Sequence, residues 1–192
     1  CELIDFEFGK NKNKKYFTGN EADDRALLDK LCEEGMQYRY PVSNEDIRAR
    51  FKKEIDLISS QLFTAYFLIN HDIVRFARHR NFFYVGRGSG ANSMVAYLLN
   101  ITDVDPIELD LYFERFINAS RKNPPDFDID FSSDERDEVI NYIFSKHGNN
   151  HTSLLGTYTT LQADSVVREL GKVFGLPKAE IDVLQNPRLY PP

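Results

Sequence analysis

The chain has 192 residues, 24 Lys+Arg against 30 Asp+Glu, a formal net charge of −6, and 42% hydrophobic residues, which suits a globular domain with a real core and excludes disordered or fibrous classes. No apolar run approaches the roughly 18 residues needed to span a bilayer, and Cys1 and Cys32 make no disulfide framework, so a reducing, cytoplasmic compartment is expected. The acidic balance argues against nucleic-acid binding driven by overall charge, although a localised basic groove is compatible with it.

The lysines and asparagines of residues 10–15 read as a solvated loop. A helix is predicted from Asn20 to Glu34 by Leu27, Leu28, Leu31 and Cys32 at three- and four-residue steps, with Gly35 ending it. Cys32 is thereby a core cysteine rather than a nucleophile. Ser43 and Asp46 resemble a capping box for a second helix, whose inner face is Ile47, Phe51, Ile55, Ile58 and Leu62. Its opposite face carries Arg48, Lys52 and Lys53 with Glu45, Glu54 and Asp56. A third helical stretch from Asp72 to Arg80 turns Ile73, Phe76 and Ala77 inward and Arg75, Arg78, His79 and Arg80 outward. Phe82-Phe83-Tyr84-Val85 then reads as a buried strand.

That strand feeds Gly86-Arg87-Gly88-Ser89-Gly90-Ala91-Asn92-Ser93 and an apolar helix, Met94 to Leu99. A glycine-rich turn between strand and helix suits phosphate, because the backbone can come close, N–H groups face the anion and the helix dipole adds positive potential. Ser89 adds a hydroxyl donor and Arg87 a fixed charge. The spacing is neither the dinucleotide fingerprint nor the Walker pattern, which disfavours a nicotinamide enzyme or a P-loop ATPase.

Residues 124–131 read Pro-Pro-Asp-Phe-Asp-Ile-Asp-Phe. Strict alternation puts Asp126, Asp128 and Asp130 on one face and Phe127, Ile129 and Phe131 on the other. Three like charges on one strand face call for cations, and Asp is a poor strand former. Magnesium fits best, since it is held by one or two carboxylates together with substrate phosphates. A calcium EF-hand is excluded by Phe131 and Asp137 at the positions that loop reserves for Gly and Glu. Ser132 then caps a helix ending at Gly148, with Val139, Ile140, Ile143 and Phe144 inward and Asp134, Glu135 and Asp137 in its first turn. Residues 126–138 hold seven acidic residues and one basic, a net of −6 that equals the whole chain's balance.

The blocks Gly86-Arg87-Gly88-Ser89, Val95-Ala96-Tyr97, Ile101-Thr102-Asp103-Val104-Asp105-Pro106, Phe113-Glu114-Arg115-Phe116 and Pro125-Asp126-Phe127-Asp128-Ile129-Asp130-Phe131 occur in this order. Jointly they resemble the alpha subunit of bacterial DNA polymerase III, the family C replicative polymerases, most densely from Ile58 to Gly175. The resemblance implies an α+β fold: a DNA polymerase β-like nucleotidyltransferase palm, with a mixed sheet and flanking helices, followed by a partial helical thumb. Residues 1–44 would be connector and start of the palm, 45–155 the palm with the Gly-Ser turn and Asp strand, and 156–192 the start of the thumb.

The resemblance also implies two-metal phosphoryl transfer, a DNA-directed DNA polymerase adding deoxynucleotides to a primer 3′-end. Asp126 and Asp128 would be the catalytic metal ligands, for two Mg²⁺ ions that Mn²⁺ replaces. Gly88, Ser89, Arg115 and, on a weaker match, Arg121 would bind the nucleotide; Asp130 is left out. Partners implied are primer-template DNA, deoxynucleoside triphosphates, and a sliding clamp and other replicase subunits contacted mostly through regions outside this chain, with no membrane. Arg75, Arg78 and Lys122 are candidates for a DNA or nucleotide path, with solvated surface the favoured reading.

Two departures stand out. The usual Gly-Pro lead-in to the turn is replaced by Tyr84-Val85-Gly86, and the family's third catalytic carboxylate belongs to a later strand than any here. The chain alone is therefore expected to be inactive, as a piece of a longer polymerase. Two other readings stay open: a non-catalytic binding module, and a small metabolite nucleotidyltransferase. The latter is disfavoured by the 37 positions between Ser89 and Asp126.

Overall fold

Asn20 opens the first helix by accepting the Asp23 N–H with its side chain, and the chain then stays helical past Gly35 to give α1, Glu21–Arg39. In the computed structural model, which describes residues 14–118, 120, 125–156 and 160–185, the following elements are α2 (Glu45–Ser60), α3 (Thr64–His79), β1 (Tyr84–Arg87), α4 (Met94–Leu98), β2 (Asp128–Phe131), α5 (Ser133–His147), α6 (Ala163–Val173) and α7 (Lys178–Leu184). The chain divides into two compact units, residues 1–153 and 154–192. The first is a helix-rich α+β assembly. In the second, α6 and α7 pair, with buried Ile181 against Gly171. Residues 10–13 of the predicted basic loop lie outside the described residues, and Lys14 and Lys15 are exposed.

The core of the first unit is built around α4, all five residues of which are buried. Leu28, Cys32 and Met36 of α1, Ile47, Phe51, Ile55 and Ile58 of α2, and Phe67, Leu68 and Val74 of α3 close over it. Each large apolar side chain buried in this way contributes about 1.5–3 kcal/mol. Burial pushes the Cys32 thiol well up, with the Asp29 and Glu54 charges adding to it, so it is inert as the sequence suggests.

Several boundaries differ from expectation, each for a local reason. Gly35 does not end α1; it lies against the backbone of Leu98, where a Cβ would collide with the carbonyl, so its role is close approach of α1 to α4. The cap of α2 is Asn44, whose side chain accepts the Ile47 N–H at 2.9 Å, rather than Ser43. Leu62 falls beyond α2 at φ 59° and is 67% exposed, so it leaves the apolar stripe. Glu54, assigned to the outer face, is fully buried. The third helix begins earlier, at Thr64. The strand begins at Tyr84 rather than Phe82, and Phe83 and Val85 are 73% and 45% exposed, so it is half-buried.

β1 and β2 pair antiparallel, with Tyr84 opposite Phe131, Val85 opposite Asp130, Gly86 opposite Ile129 and Arg87 opposite Asp128. Among the described residues the sheet has these two strands only, narrower than the mixed sheet the resemblance implies. Its inner face packs Tyr84 and Ile129 on the core, and Phe127, just before β2, joins them. Directly after β2, α5 is tied to α3 through buried Asp72, which accepts from Lys146 at 2.6 Å, Tyr142 at 2.7 Å and Arg75 at 3.0 Å. Burial alone would raise the Asp72 carboxyl, but these donors outweigh it and hold the group below the usual carboxylate range. Tyr142 also stacks on Phe76 at 4.0 Å.

Candidate active site

The antiparallel register decides the site. It sets Arg87, the last residue of β1, beside Asp128, the first of β2, so the turn that follows β1 lies over the carboxylates. Gly88 has φ +75°, and a Cβ there would stand 2.7 Å from Asp128 Oδ2. Only glycine gives both the left-handed backbone and that approach. From Gly88 to Asn92 the chain makes a short 3-10 turn, with Ser89 exposed and its carbonyl accepting the Asn92 side chain at 2.9 Å. The turn does not open the helix directly, as the sequence suggests. Ser93 intervenes as the cap of α4, its hydroxyl oxygen accepting the Ala96 N–H at 3.2 Å.

Asp128 and Asp130 are exposed on the outer face of β2, with Ile129 and Phe131 turned inward, as the alternation predicts. Asp126 precedes the strand and is exposed as well. This approach to β2 is fixed from below. Phe127 N–H donates to Tyr66 Oη at 2.9 Å, and the Phe127 ring stacks on Tyr66 at 5.5 Å and meets Phe67 edge-on at 5.2 Å. Burial raises the Tyr66 hydroxyl, and the Asp126 charge raises it further, so it stays a neutral phenol beside the carboxylates.

One cation beside the acidic strand is supplied by the chain itself. Arg87 Nε lies 2.6 Å from Asp130 Oδ2, and its Nη1 3.7 Å from Asp128 Oδ2. Arg87, read from sequence as a phosphate contact, is thus engaged with carboxylates, and more closely with Asp130 than with Asp128. Arg115 is exposed in the short 3-10 turn Phe113–Arg115, which packs against the Gly88–Asn92 turn. Gly88, Ser89, Arg115 and Asp128 therefore gather on neighbouring turns and strand ends, with Asp126 two residues upstream. Arg121 and Lys122 lie outside the described residues. Arg75 pairs with Asp72, and Arg78 lines three clefts of about 330, 250 and 200 Å³, none lined by these site residues.

Beneath the two turns runs a buried network that the sequence reading missed. Arg50 Nε donates to Glu54 Oε1 at 2.6 Å, and Glu54 Oε2 accepts from Ser93 Oγ at 3.1 Å and Val95 N–H at 3.3 Å. Burial pushes the Glu54 carboxyl up to about 7 against these donors. A carboxyl raised on folding contributes stability in full below its unfolded value and loses it as pH rises through the folded one. The stability difference between the native chain and Glu54→Gln is therefore expected to move against the native chain as pH rises from about 4.5 to about 7. The loss should build progressively across that window. Urea unfolding of both proteins across that range checks it, and a pH-independent difference would contradict it.

Divalent metal can be tested against these donors. Among the described residues no group of three or more His, Cys, Asp or Glu is placed to form an all-protein cage. Two exposed carboxylates beside a glycine turn instead fit an ion of the magnesium type, held by one or two carboxylates and completed by substrate phosphates.

A glycine turn thus lies over a carboxylate strand inside a helix-rich α+β unit. Residues 26–188 match the family described as the bacterial DNA polymerase III alpha NTPase domain. An error-prone DNA polymerase of Methylococcus capsulatus is 43% identical over 160 residues, 83% of this chain and 15% of that protein. Those of Symbiobacterium thermophilum and Idiomarina loihiensis are 44% and 43% identical over 170 and 162 residues, covering 88% and 84% of this chain and 16% of each relative. The chain belongs to the bacterial DNA polymerase III alpha family, and it spans about one-sixth of the length of these curated relatives. No helix among the described residues is long and apolar enough to cross a membrane.

Proposed function

We propose that this chain carries the nucleotide- and metal-binding part of a DNA-directed DNA polymerase, with a palm in residues 45–155 and the start of a thumb in 156–192. The observation that carries this reading is Gly88 placed against Asp128, two residues 40 positions apart in sequence. Family membership, and relatives named error-prone DNA polymerases, support it.

In this reading Asp126 and Asp128 would hold divalent ions, magnesium being the best fit. When bound, the metal supplies Lewis-acid activation of the primer hydroxyl and charge neutralisation on the triphosphate. The chain's own groups do the rest. Gly88 and Ser89 would bring backbone N–H groups and a hydroxyl to the phosphates, and Arg115, on the neighbouring turn, would add a fixed cation. The primer 3′-oxygen bonds to the α-phosphorus, the bond to the departing pyrophosphate breaks, and the hydroxyl proton passes to solvent water. Arg87 holds Asp130 and so keeps that third carboxylate from competing with Asp128 for the ion. Template-primer DNA, deoxynucleoside triphosphates, a sliding clamp and other replicase subunits are the proposed partners of the whole protein.

A second reading rests on the 2.6 Å Arg87–Asp130 ion pair: the acidic strand satisfies Arg87 and is structural. Calorimetric titration with Mn²⁺ separates the two. The native chain is expected to bind weakly, and Asp126→Ala/Asp128→Ala to lose that heat. Identical isotherms would favour the structural reading.

A further inference from the structure

The Arg50 guanidinium reaches two backbone carbonyls that are distant in sequence. Its Nη2 donates to Asn92 O at 3.3 Å and to Leu111 O at 2.9 Å. Asn92 closes the turn that holds Gly88 and Ser89, and Leu111 leads into the turn that holds Arg115. One planar group therefore bridges both segments. The Phe113 ring lies 6.0 Å beneath it. Glu54, one helical turn further along α2, fixes the fork through Nε at 2.6 Å. Its second oxygen grips Ser93 and Val95 at the head of α4, immediately after the Ser89 turn.

An ion pair is a poor way to stabilise such a place. Glu54 is fully buried and Arg50 is 22% exposed at its side chain, and apolar residues of similar volume would fill the space at less cost in desolvation. What an apolar filling lacks is direction. A guanidinium presents several donors in a rigid plane, and lysine, a point charge on a flexible stem, does not reproduce that geometry.

We propose that Arg50 and Glu54 are positioning residues that fix the Ser89 turn and the Arg115 turn at the separation a nucleoside triphosphate requires. This rests on reading those two turns as the triphosphate contacts. Neither residue touches the nucleotide; each acts through the backbone it holds. Loosening the bridge should weaken nucleotide capture while leaving the β1–β2 pairing that carries Asp128 in place.

The test is steady-state primer extension by the full-length polymerase that contains this chain, varying one deoxynucleoside triphosphate. Arg50→Lys keeps the charge beside Glu54 and loses the fork, so the nucleotide KM is expected to rise about tenfold with kcat within about threefold. Glu54→Gln keeps the shape but turns one accepting oxygen into an NH2 donor, so it cannot serve both the Arg50 fork and the Val95 N–H, giving a rise of about three- to tenfold. The double variant should match Arg50→Lys alone, because one network is broken once. An unchanged KM in folded Arg50→Lys overturns the proposal. So does activity that falls only with the folded fraction, since a purely structural pair would leave KM unaltered. If Arg50→Lys does not fold, Glu54→Gln decides by the same KM criterion. Asp128→Asn, run alongside, separates the two levels. If it extends primers normally, the reading of the active site fails. If it is inactive while KM is unmoved in the Arg50 and Glu54 variants, only the positioning role fails.

Discussion

Asp128→Asn in the full-length polymerase is expected to lower kcat for primer extension by at least about 10³-fold, and Asp126→Asn by a comparable factor. A bound metal contributes several kcal/mol of transition-state stabilisation, and about 4 kcal/mol corresponds to 10³ in rate. Both side chains are exposed, and the pair that Asp128 makes with Arg87 is long, at 3.7 Å. An isosteric amide at either position should therefore change folding stability by no more than about 0.5 kcal/mol. Activity and stability are thus predicted to separate cleanly. Asp130→Asn provides the contrast, because its carboxylate is committed to Arg87 at 2.6 Å rather than left free for an ion. Its kcat is expected to stay within about threefold of the native value. A folded Asp128→Asn with kcat within about tenfold of native would remove Asp128 from the reaction.

The separate parts of this arrangement were legible in the sequence, and what joined them was not. Alternation along 126–131 gave the acidic and apolar faces correctly, because a strand's period of two needs no knowledge of its partner. The cation opposite the acidic face was hidden, since antiparallel register decides that Arg87 meets Asp128 and Asp130, and register is set by packing between distant segments. Glu54 is a different kind of miss. It stands seven residues after Ile47 and four before Ile58, on the same helical stripe, so the spacing already pointed it inward. Charge alone sent it to the outer face. The Arg50–Glu54 spacing of four was the available signal that a buried carboxylate had a partner. Gly35 was misread because a glycine late in an apolar helix signals an end as readily as a close approach, and only the position of Leu98 distinguishes the two. The family resemblance, carried by ordered blocks rather than by periodicity, agreed with the family match over residues 26–188.

Gly88→Ala should be the most informative substitution in the turn, because its two costs fall on different observables. Holding a non-glycine residue at φ +75° costs about 1–2 kcal/mol, which in a chain of this size lowers the melting temperature by only several degrees. The new methyl carbon would stand 2.7 Å from Asp128 Oδ2, well inside contact distance. Asp128 is exposed and ends in a freely rotating carboxylate, so the clash is relieved by turning that group away. The relief costs the fold little and takes the carboxylate out of its working position. Extension by the full-length enzyme is therefore expected to fall about 10²-fold in kcat/KM while most of the protein stays folded. Gly35→Ala should do the reverse. Its Cβ would meet the Leu98 backbone carbonyl, which cannot rotate away, so α1 must separate from α4. A loss of about 3 kcal/mol or more is expected there, with the activity of the surviving folded fraction near native. Melting curves and extension rates of the two variants, measured side by side, check both expectations. A Gly88→Ala enzyme of native activity would show that the carboxylate position over the turn is unimportant to the reaction.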